Sequence, residues 1–368
     1  MKFIIVEHRS HYSGASSQRL LGYAKALINK GHEVVMIISP QTPFPPIAEI
    51  RFVEIEETRK HIFRCYWQFI NAIKREYDSN SIIYFYEPQI YSVFFRSPKY
   101  RVFSEQTEIP NYGLKVSLLR RILEAIKLYA NKHFSGVAVI SNGLKDYYKK
   151  KGIKHIEVIN MFVDANRFNI IKSDSDIKYI AYCGTISVFK DGADTLIRAF
   201  CNFHQTYPEY KLYLIGQFDL QGSEQILRKL ITDLDLEESV VFKGRINAND
   251  LPLVLSGARM LALARPNTIQ SQYGFPTKLG EYLATGNPVV VTKVGEIPMY
   301  LRDGVNAFLA NPDDVESFAE KLLEVERDYN KSIEIGAKGR ELVFSEFSNI
   351  VQSEKLLHYI ENVISQKQ

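Results

Sequence analysis

The feature that most constrains this chain is an alternation. Short β-branched or aromatic runs, separated by amphipathic stretches of helical period, recur along it in two series. Such a pattern marks βαβ units and parallel sheets, in which each crossover between neighbouring strands is a helix. The first series opens with KFIIV at residues 2–6, crosses the loop EHRSHYSGASS, runs a helix from about Gln18 to Lys30, and re-enters a strand at EVVMIIS. Gly31 directly after Lys30 is an ordinary helix stop. IIYFY, YRVFS, GVAVIS and HIEVIN predict further strands, with helices near His61 to Tyr77, Leu114 to His133 and Asn142 to Lys151. The second series predicts strands at KYIAYCG, YKLYLIG, SVVFKG, RMLALA, PVVVT and NAFLA.

A polar, Ser/Asp-rich stretch, NIIKSDSDIK, separates the two series and reads as an interdomain linker. A length of 368 residues also exceeds the ~250–300 at which one core stops growing. The expected organisation is an α/β chain of two Rossmann-like parallel-sheet domains. The first covers residues 1–165 and is completed by a C-terminal helix over about 347–368, and the second covers 166–346. Three successive helical patterns, Pro312 to Arg327, Ile333 to Phe344 and Asn349 to Ile364, end the βα alternation, so the last helix is expected to pack back on the first domain.

Charge narrows the function. Lys and Arg number 46 against 42 Asp and Glu, a net of +4, too little for a nucleic-acid binder that works by general phosphate neutralisation. Cys65, Cys183 and Cys201 are odd in number, lack metal-type spacing and predict buried, reduced thiols. The N-terminal apolar run reaches only from Phe3 to Val6, and no stretch approaches ~18 uninterrupted apolar residues. The expected location is the cytoplasm.

In open parallel sheets ligands bind beyond the carboxyl ends of the strands, and two such sheets facing each other would make a cleft. The loop GTISVFKDG, Gly184 to Gly192, then combines a backbone that can approach a ligand, the hydroxyls of Thr185 and Ser187, and Lys190 at a helix start, which together suit an anion. By itself such a loop reads first as a surface turn with a solvated lysine, since Gly-rich turns are common. The loop RPNTIQSQYGFPTK, Arg265 to Lys278, is longer than the ~2–6 residues usual between strand and helix. It leads into a helix with Pro276 at its first position, Leu279 and Leu283 facing the core, and Lys278 and Glu281 on another face. As a solvated pair these two charges would contribute only ~0.3–0.5 kcal/mol.

The stretch GFPTKLGEYLATGNPVVVTKVGEIPMYLRDGVNAFLA resembles the donor-binding signature of retaining glycosyltransferases of the GT-B type, especially family 4. VINMFVDANRF, YCGTISVFKDGADTLIRAF and VVFKGRINANDLPLVLSGA resemble the same family's domain junction, phosphate loop and base-contacting loop, so the likeness spans about Val158 to Leu309. In the first half only HYSGASSQRLLGYAKALINKGHEV has the family's look. The resemblance implies a nucleoside-diphosphate sugar as donor and no cofactor. It makes Glu281 the second glutamate of a Glu-x7-Glu motif, which holds the ribose, whereas Tyr273 stands in place of the first. Lys190 matches the lysine that meets the diphosphate, Thr185 replaces an arginine common in the family, and Arg265 becomes the candidate for a second positive charge. Gly14, Gly184, Ser187, Arg245, Gly274, Phe275, Pro276, Thr277 and Lys278 complete the implied donor site.

Asp-x-Asp metal sites belong to GT-A enzymes. The sequences DSD at 174–176 and DLD at 233–235 close no strand and read as solvated acids, so no metal is expected. The acceptor is expected on the first domain, where Glu105 and Glu108 follow a strand, with Glu105 as catalytic candidate, and where His8 and His11 lie on the first loop. For each, a polar loop residue is the plain alternative. The helix near Leu114 to His133 carries Leu118, Ile122 and Ile126 at near-helical spacing beside Lys115, Arg120, Arg121, Lys127 and Lys132. It reads either as core-packed with a solvated face or as a basic surface for peripheral contact with anionic lipid. The expected reaction is sugar transfer with retention, without a metal, to a carbohydrate or lipid-linked glycan in surface polysaccharide or glycolipid synthesis. A non-catalytic nucleotide-sugar binder and a GT-B sugar-nucleotide epimerase are the alternatives.

Overall fold

A computed structural model of the chain describes residues 1–12, 14–57, 61–110, 117–170 and 177–366. The chain divides into two compact units, one formed by Met1–Phe162 with the described residues from Asn349 onward, the other by Val163–Ser348.

The first unit carries β1 (Lys2–Ser10), α1 (Ala15–Asn29), β2 (Glu33–Pro40), β3 (Ile50–Glu54), α2 (Ile62–Glu76), β4 (Ser81–Tyr86), β5 (Val102–Gln106), α3 (Leu118–His133), β6 (Gly136–Val139), α4 (Asn142–Lys150) and β7 (Ile156–Val158). The sheet order is β3-β2-β1-β4-β5-β6-β7, and every neighbouring pair is parallel. Because successive side chains point to opposite faces, β1 feeds two cores at once. Phe3 and Ile5 join Leu20, Ala24 and Leu27 of α1, while Ile4 and Val6 join Phe69, Ile70 and Ile73 of α2.

The second unit carries β8 (Tyr179–Cys183), α5 (Val188–Asp191), α6 (Ala193–His204), β9 (Lys211–Ile215), α7 (Ser223–Asp233), β10 (Val240–Gly244), α8 (Leu251–Ser256), β11 (Met260–Leu263), α9 (Ile269–Tyr273), α10 (Thr277–Ala284), β12 (Val289–Thr292), α11 (Ile297–Tyr300), β13 (Phe308–Ala310), α12 (Val315–Arg327) and α13 (Tyr329–Leu342). Its sheet, β10-β9-β8-β11-β12-β13, is again all parallel. The last helix, α14 (Asn349–Ser365), returns to the first unit, where Leu356, Tyr359, Ile360 and Val363 enter the α1 core. Tyr359 anchors it, donating to His155 O at 2.9 Å and accepting from Val137 N at 3.0 Å.

Several expectations are corrected. The strand β3 has no counterpart in the sequence reading: it is an edge strand in which only Ile50 is buried, so it lacks a continuous apolar run. The expected loop from Arg265 to Lys278 contains α9, started by a capping box between Thr268 and Ser271. Helix α3 begins at Leu118, with Ser117 as its cap, and residues 114–116 lie outside the described ones. Leu118 and Ile122 are exposed rather than core, since α3 buries only Ala130 and Asn131. Of the cysteines, which are unpaired thiols, only Cys65 is buried.

The strand order reverses direction on either side of β1 and β4 in the first sheet and of β8 and β11 in the second. Such switch points open a crevice at the carboxyl ends of the strands. In the second unit the segments that leave this point are those beginning at Gly184 and Arg265.

Candidate active site

At the end of β8 the chain turns sharply. Gly184 has a φ of +154°, and a Cβ there would lie 2.3 Å from Lys278 Nζ, so the missing side chain is what admits the ammonium. Ser187 caps α5, accepting from Lys190 N at 3.0 Å. Gly192, at φ +64°, closes this single turn against Ala264, whose carbonyl oxygen a Cβ would meet at 2.1 Å. The loop after β8 is thereby fastened to the end of β11.

Asp191 lies between these segments. Its Oδ2 accepts from Lys278 Nζ at 2.5 Å and from Tyr182 OH at 2.9 Å, and its Oδ1 lies 3.6 Å from Arg265 Nε. Asp191 and Arg265 are both buried. Burial works against the charge on Asp191, but Lys278 and then Arg265 outweigh it and hold the carboxyl below its ordinary range. Lys278 also lies 4.8 Å from the centre of the Tyr182 ring and donates to its hydroxyl at 3.1 Å. Lys190, half-buried on α5, adds its positive field to the same group. The net charge of Lys190, Lys278, Arg265 and Asp191 is positive, as an anion site requires.

Helix α10 is pinned to β8 by Tyr282, whose hydroxyl accepts from Cys183 N at 2.6 Å and donates to Cys183 O at 3.1 Å. This fixes Lys278 and Glu281 relative to the loop. The two do not pair with each other. Glu281 accepts from Arg167 Nη1 at 3.3 Å, and Arg167 Nη2 donates to Ala248 O at 2.5 Å. Burial raises the Glu281 carboxyl above its ordinary range, with Arg167 and Lys278 opposing.

Other expected donor residues take different places. Thr185 is exposed on the loop, whereas Ser187 is buried, capping α5 and bonded to Asp219, so its hydroxyl is already engaged. Phe275 packs inward against Tyr300 and Phe347, with ring centres 5.6 Å away from each. Pro276 precedes the helix as its cap residue rather than forming its first turn, which begins at Thr277. Tyr273 ends α9, Gly274 donates its N–H to Gln270 O at 2.9 Å, and Arg245 is exposed just after β10. Asp233 closes α7 in an ion pair with Lys229, while residues 174–176 lie outside the described ones.

In the first unit, Glu105 is fully buried. It accepts from Arg19 Nε at 2.6 Å, Tyr84 OH at 2.9 Å and Tyr23 OH at 3.3 Å, while Arg19 also donates to the Ile159 and Asn160 carbonyls. Removed from water and saturated with donors, it is a core anchor rather than the open acid expected. His8 likewise points inward, among the rings of Tyr66, Phe69 and Tyr91 and 3.5 Å from Glu57. Glu108 is exposed, and His11 lies at the entrance of α1, where its carbonyl accepts from Gly14 N and its N–H donates to Ser17 Oγ. Ser17 in turn donates to the buried Glu7 at 2.8 Å. Asp191, Arg167 and Tyr282 escaped the sequence reading. The only signal for Asp191 was an acid directly beside Lys190 in a loop read as cationic.

Residues 177–328 match the family described as Glycosyl transferases group 1. Mannosylfructose-phosphate synthase of Agrobacterium fabrum is 28% identical over 219 residues, 54% of this chain and 46% of that protein. The chain spans about half the length of the curated relatives it matches. Sucrose-phosphate synthase of Thermosynechococcus elongatus superposes with a TM-score of 0.78 at 16% identity, covering 99% of each chain. Anabaena HepE in complex with UDP-glucose superposes at 0.76 and 19% identity, covering 100% of each. Residues 177–328 are thus similar to the group 1 glycosyltransferases, and the chain has the GT-B fold.

Proposed function

We propose that this protein is a glycosyltransferase that moves a sugar from a nucleoside-diphosphate sugar to a hydroxyl acceptor, with retention and without a metal ion, in surface polysaccharide or glycolipid synthesis. The observation that carries this reading is the cation cluster of Lys278, Arg265 and Lys190 around Asp191 at a topological switch point, with Glu281 one turn further along α10. Transfer breaks the bond between the anomeric carbon and the phosphate oxygen, and that oxygen takes the electron pair. The acceptor oxygen forms its new bond on the same face, and its proton passes to the departing phosphate. Fixed cations aimed at the growing charge lower the barrier, and they substitute for a bridging metal. Glu281 accepts hydrogen bonds from the ribose hydroxyls, and Tyr273 faces the sugar in place of the missing glutamate. HepE, solved with UDP-glucose, is consistent with such a donor.

The first unit takes the acceptor. Glu108 and His11 remain its candidates, whereas the packing of Glu105 and His8 assigns them to the core. Leu118, Leu119 and Ile122 are exposed on α3 beside Arg120 and Arg121, which suits peripheral contact with anionic lipid at the inner face of the membrane. No helix among the described residues is long and apolar enough to cross a membrane.

Thermal-shift titration with UDP, GDP, ADP, TDP and CMP tests the donor site, since a ligand at ~100 times its dissociation constant stabilises by ~2.7 kcal/mol. The matching nucleotide sugar should then be turned over in EDTA. Stabilisation by none of the nucleotides refutes the donor site, and turnover lost in chelator and restored by a divalent ion refutes metal independence. Binding without turnover of any acceptor would make the chain a sugar-nucleotide binder.

A further inference from the structure

We propose that a cavity of about 410 Å³ in the first unit, bordered by Glu87, Arg120, Arg121, Tyr147 and Lys151, binds a sugar that carries a phosphate or carboxylate group, with Arg120 and Arg121 as its specificity-determining residues. The inference rests on the glycosyltransferase reading above, since it names the class of acceptor.

The cavity lies at the carboxyl end of the first sheet. Glu87 directly follows β4, one of the two strands at the switch point, and Gln106 ends β5. Its floor is held in place from below. The Glu87 N–H donates to Glu105 O at 2.9 Å and its Oε1 accepts from Thr107 Oγ1 at 2.7 Å. Tyr148 OH donates to Gln106 Oε1 at 3.2 Å, and Asn131 Oδ1 accepts from Ser104 Oγ at 2.7 Å. Glu87 has a φ of 44°, a conformation that costs a non-glycine residue energy and persists only where surrounding bonds impose it. Fixed polar groups of this kind are what a specific site needs, and the volume falls in the ~300–1,000 Å³ range of ligand pockets.

The charges around the cavity decide the ligand class. Glu124 and Lys127 neutralise each other at 3.1 Å, and Lys151 lies 5.5 Å from the centre of the Tyr147 ring. Burial pushes the Glu87 carboxyl above its ordinary range, with the Thr107 hydrogen bond opposing. The lining carries Arg120, Arg121, Lys127 and Lys151 against Glu87, Glu108 and Glu124, which leaves a net positive charge. Two guanidinium groups on consecutive residues of the first turn of α3 offer the forked donors that match a phosphate or carboxylate. Tyr147 supplies an aromatic surface for the sugar ring.

The test is calorimetric titration of the full chain, without donor, with glucose 6-phosphate, glucuronate and glucose. At least one anionic sugar should bind about 10-fold or more tightly than glucose, as charge-assisted hydrogen bonds require. Which one does so separates a phosphate site from a carboxylate site. In the Arg120→Ala/Arg121→Ala double variant the preference should disappear, while Tm and the affinity for the stabilising nucleoside diphosphate stay at wild-type values, because both arginines are exposed. Equal affinity for all three sugars, or a preference that survives in the double variant, overturns the proposal. Failure of every nucleoside diphosphate to bind would instead count against the donor reading on which it rests.

Discussion

Arg167 and Glu281, 114 residues apart in sequence, meet at 3.3 Å beside the loop that follows β8. The contact sets the charge state of the carboxylate proposed to hold the ribose. Burial favours its protonated form, and Arg167 favours the ionised form. Ribose hydroxyls donate best to the ionised form. Nucleotide affinity should therefore fall with decreasing pH while Glu281 is still above the ordinary glutamate range, and Arg167→Ala should move that fall to higher pH. Glu281→Gln should weaken the nucleoside diphosphate and its sugar alike by ~1.5–3 kcal/mol and flatten the profile. Fluorescence titration across pH measures all three, and an unchanged profile in the Gln variant would remove Glu281 from the site.

Asp191 holds two cations in a dry environment, so Asp191→Asn leaves Lys278 and Arg265 without their counter-charge. Removing one partner of a buried ion pair costs ~3–5 kcal/mol. A bound diphosphate brings negative charge to the same place. The variant should melt lower than wild type, and a saturating nucleoside diphosphate should raise its Tm by more. In wild type the contribution of Asp191 is present above its ordinary pKa of 3.8 and disappears as pH falls through its depressed folded value. Equal ligand-induced shifts in the two proteins would argue that the diphosphate binds elsewhere.

Gly184→Ala tests the approach of Lys278 to the loop. The added methyl would lie 2.3 Å from Nζ and 2.7 Å from Cε, at a backbone angle that disfavours a side chain. A strained backbone and a displaced ammonium together should cost ~1–3 kcal/mol of stability. Diphosphate affinity should drop at the same time, by about 10-fold if one charge-assisted bond is lost. Chemical denaturation and calorimetry read the two effects separately. Stability lost with affinity retained would exclude Lys278 from phosphate contact.

Tyr273→Ala, set beside Glu281→Gln, should divide the donor between its two halves. Tyr273→Ala should weaken the nucleotide sugar and leave the free diphosphate nearly unchanged, because only the former carries a group for Tyr273 to meet. Parallel titrations decide the matter, and equal losses for both ligands would place Tyr273 at the nucleotide.

His8 predicts a pH dependence unrelated to catalysis. Burial among aromatic rings lowers its pKa to about 4, against an ordinary 6.5, with Glu57 opposing. The unfolded chain therefore binds a proton first as pH falls from 6.5 towards 4, and the folded state loses up to about 3 kcal/mol over that window. His8→Gln should remove this part of the slope in denaturation midpoints measured from pH 7 to 4. A slope identical to wild type would mean that His8 is protonated in the folded protein.

The architecture was legible because it is written in local period. Twelve of the strands read from apolar runs are present, and the last helix returns to the first unit, as the break in βα alternation at residue 312 implied. Among the described residues only the edge strand β3 was missed, since a strand buried on few sides needs no continuous apolar run. The glycine loop and the helix after Pro276 were equally readable, because turns and helix starts depend on a few neighbouring residues.

What no local pattern contains is the partner of each charge. Lys278 and Glu281 sit three residues apart on α10 and would pair on an isolated helix. Folding instead gives Lys278 to Asp191, 87 residues away, and Glu281 to Arg167, 114 away. Likewise Glu105 follows a strand as an active-site acid would, yet Arg19, 86 residues distant, draws it into the core. The sequence alone determined which elements form and where the chain turns, through side-chain period and backbone preference. Tertiary structure decided which carboxylates face solvent and which meet a cation, because the parallel crossovers bring distant strand ends together, and proximity in space governs an ion pair.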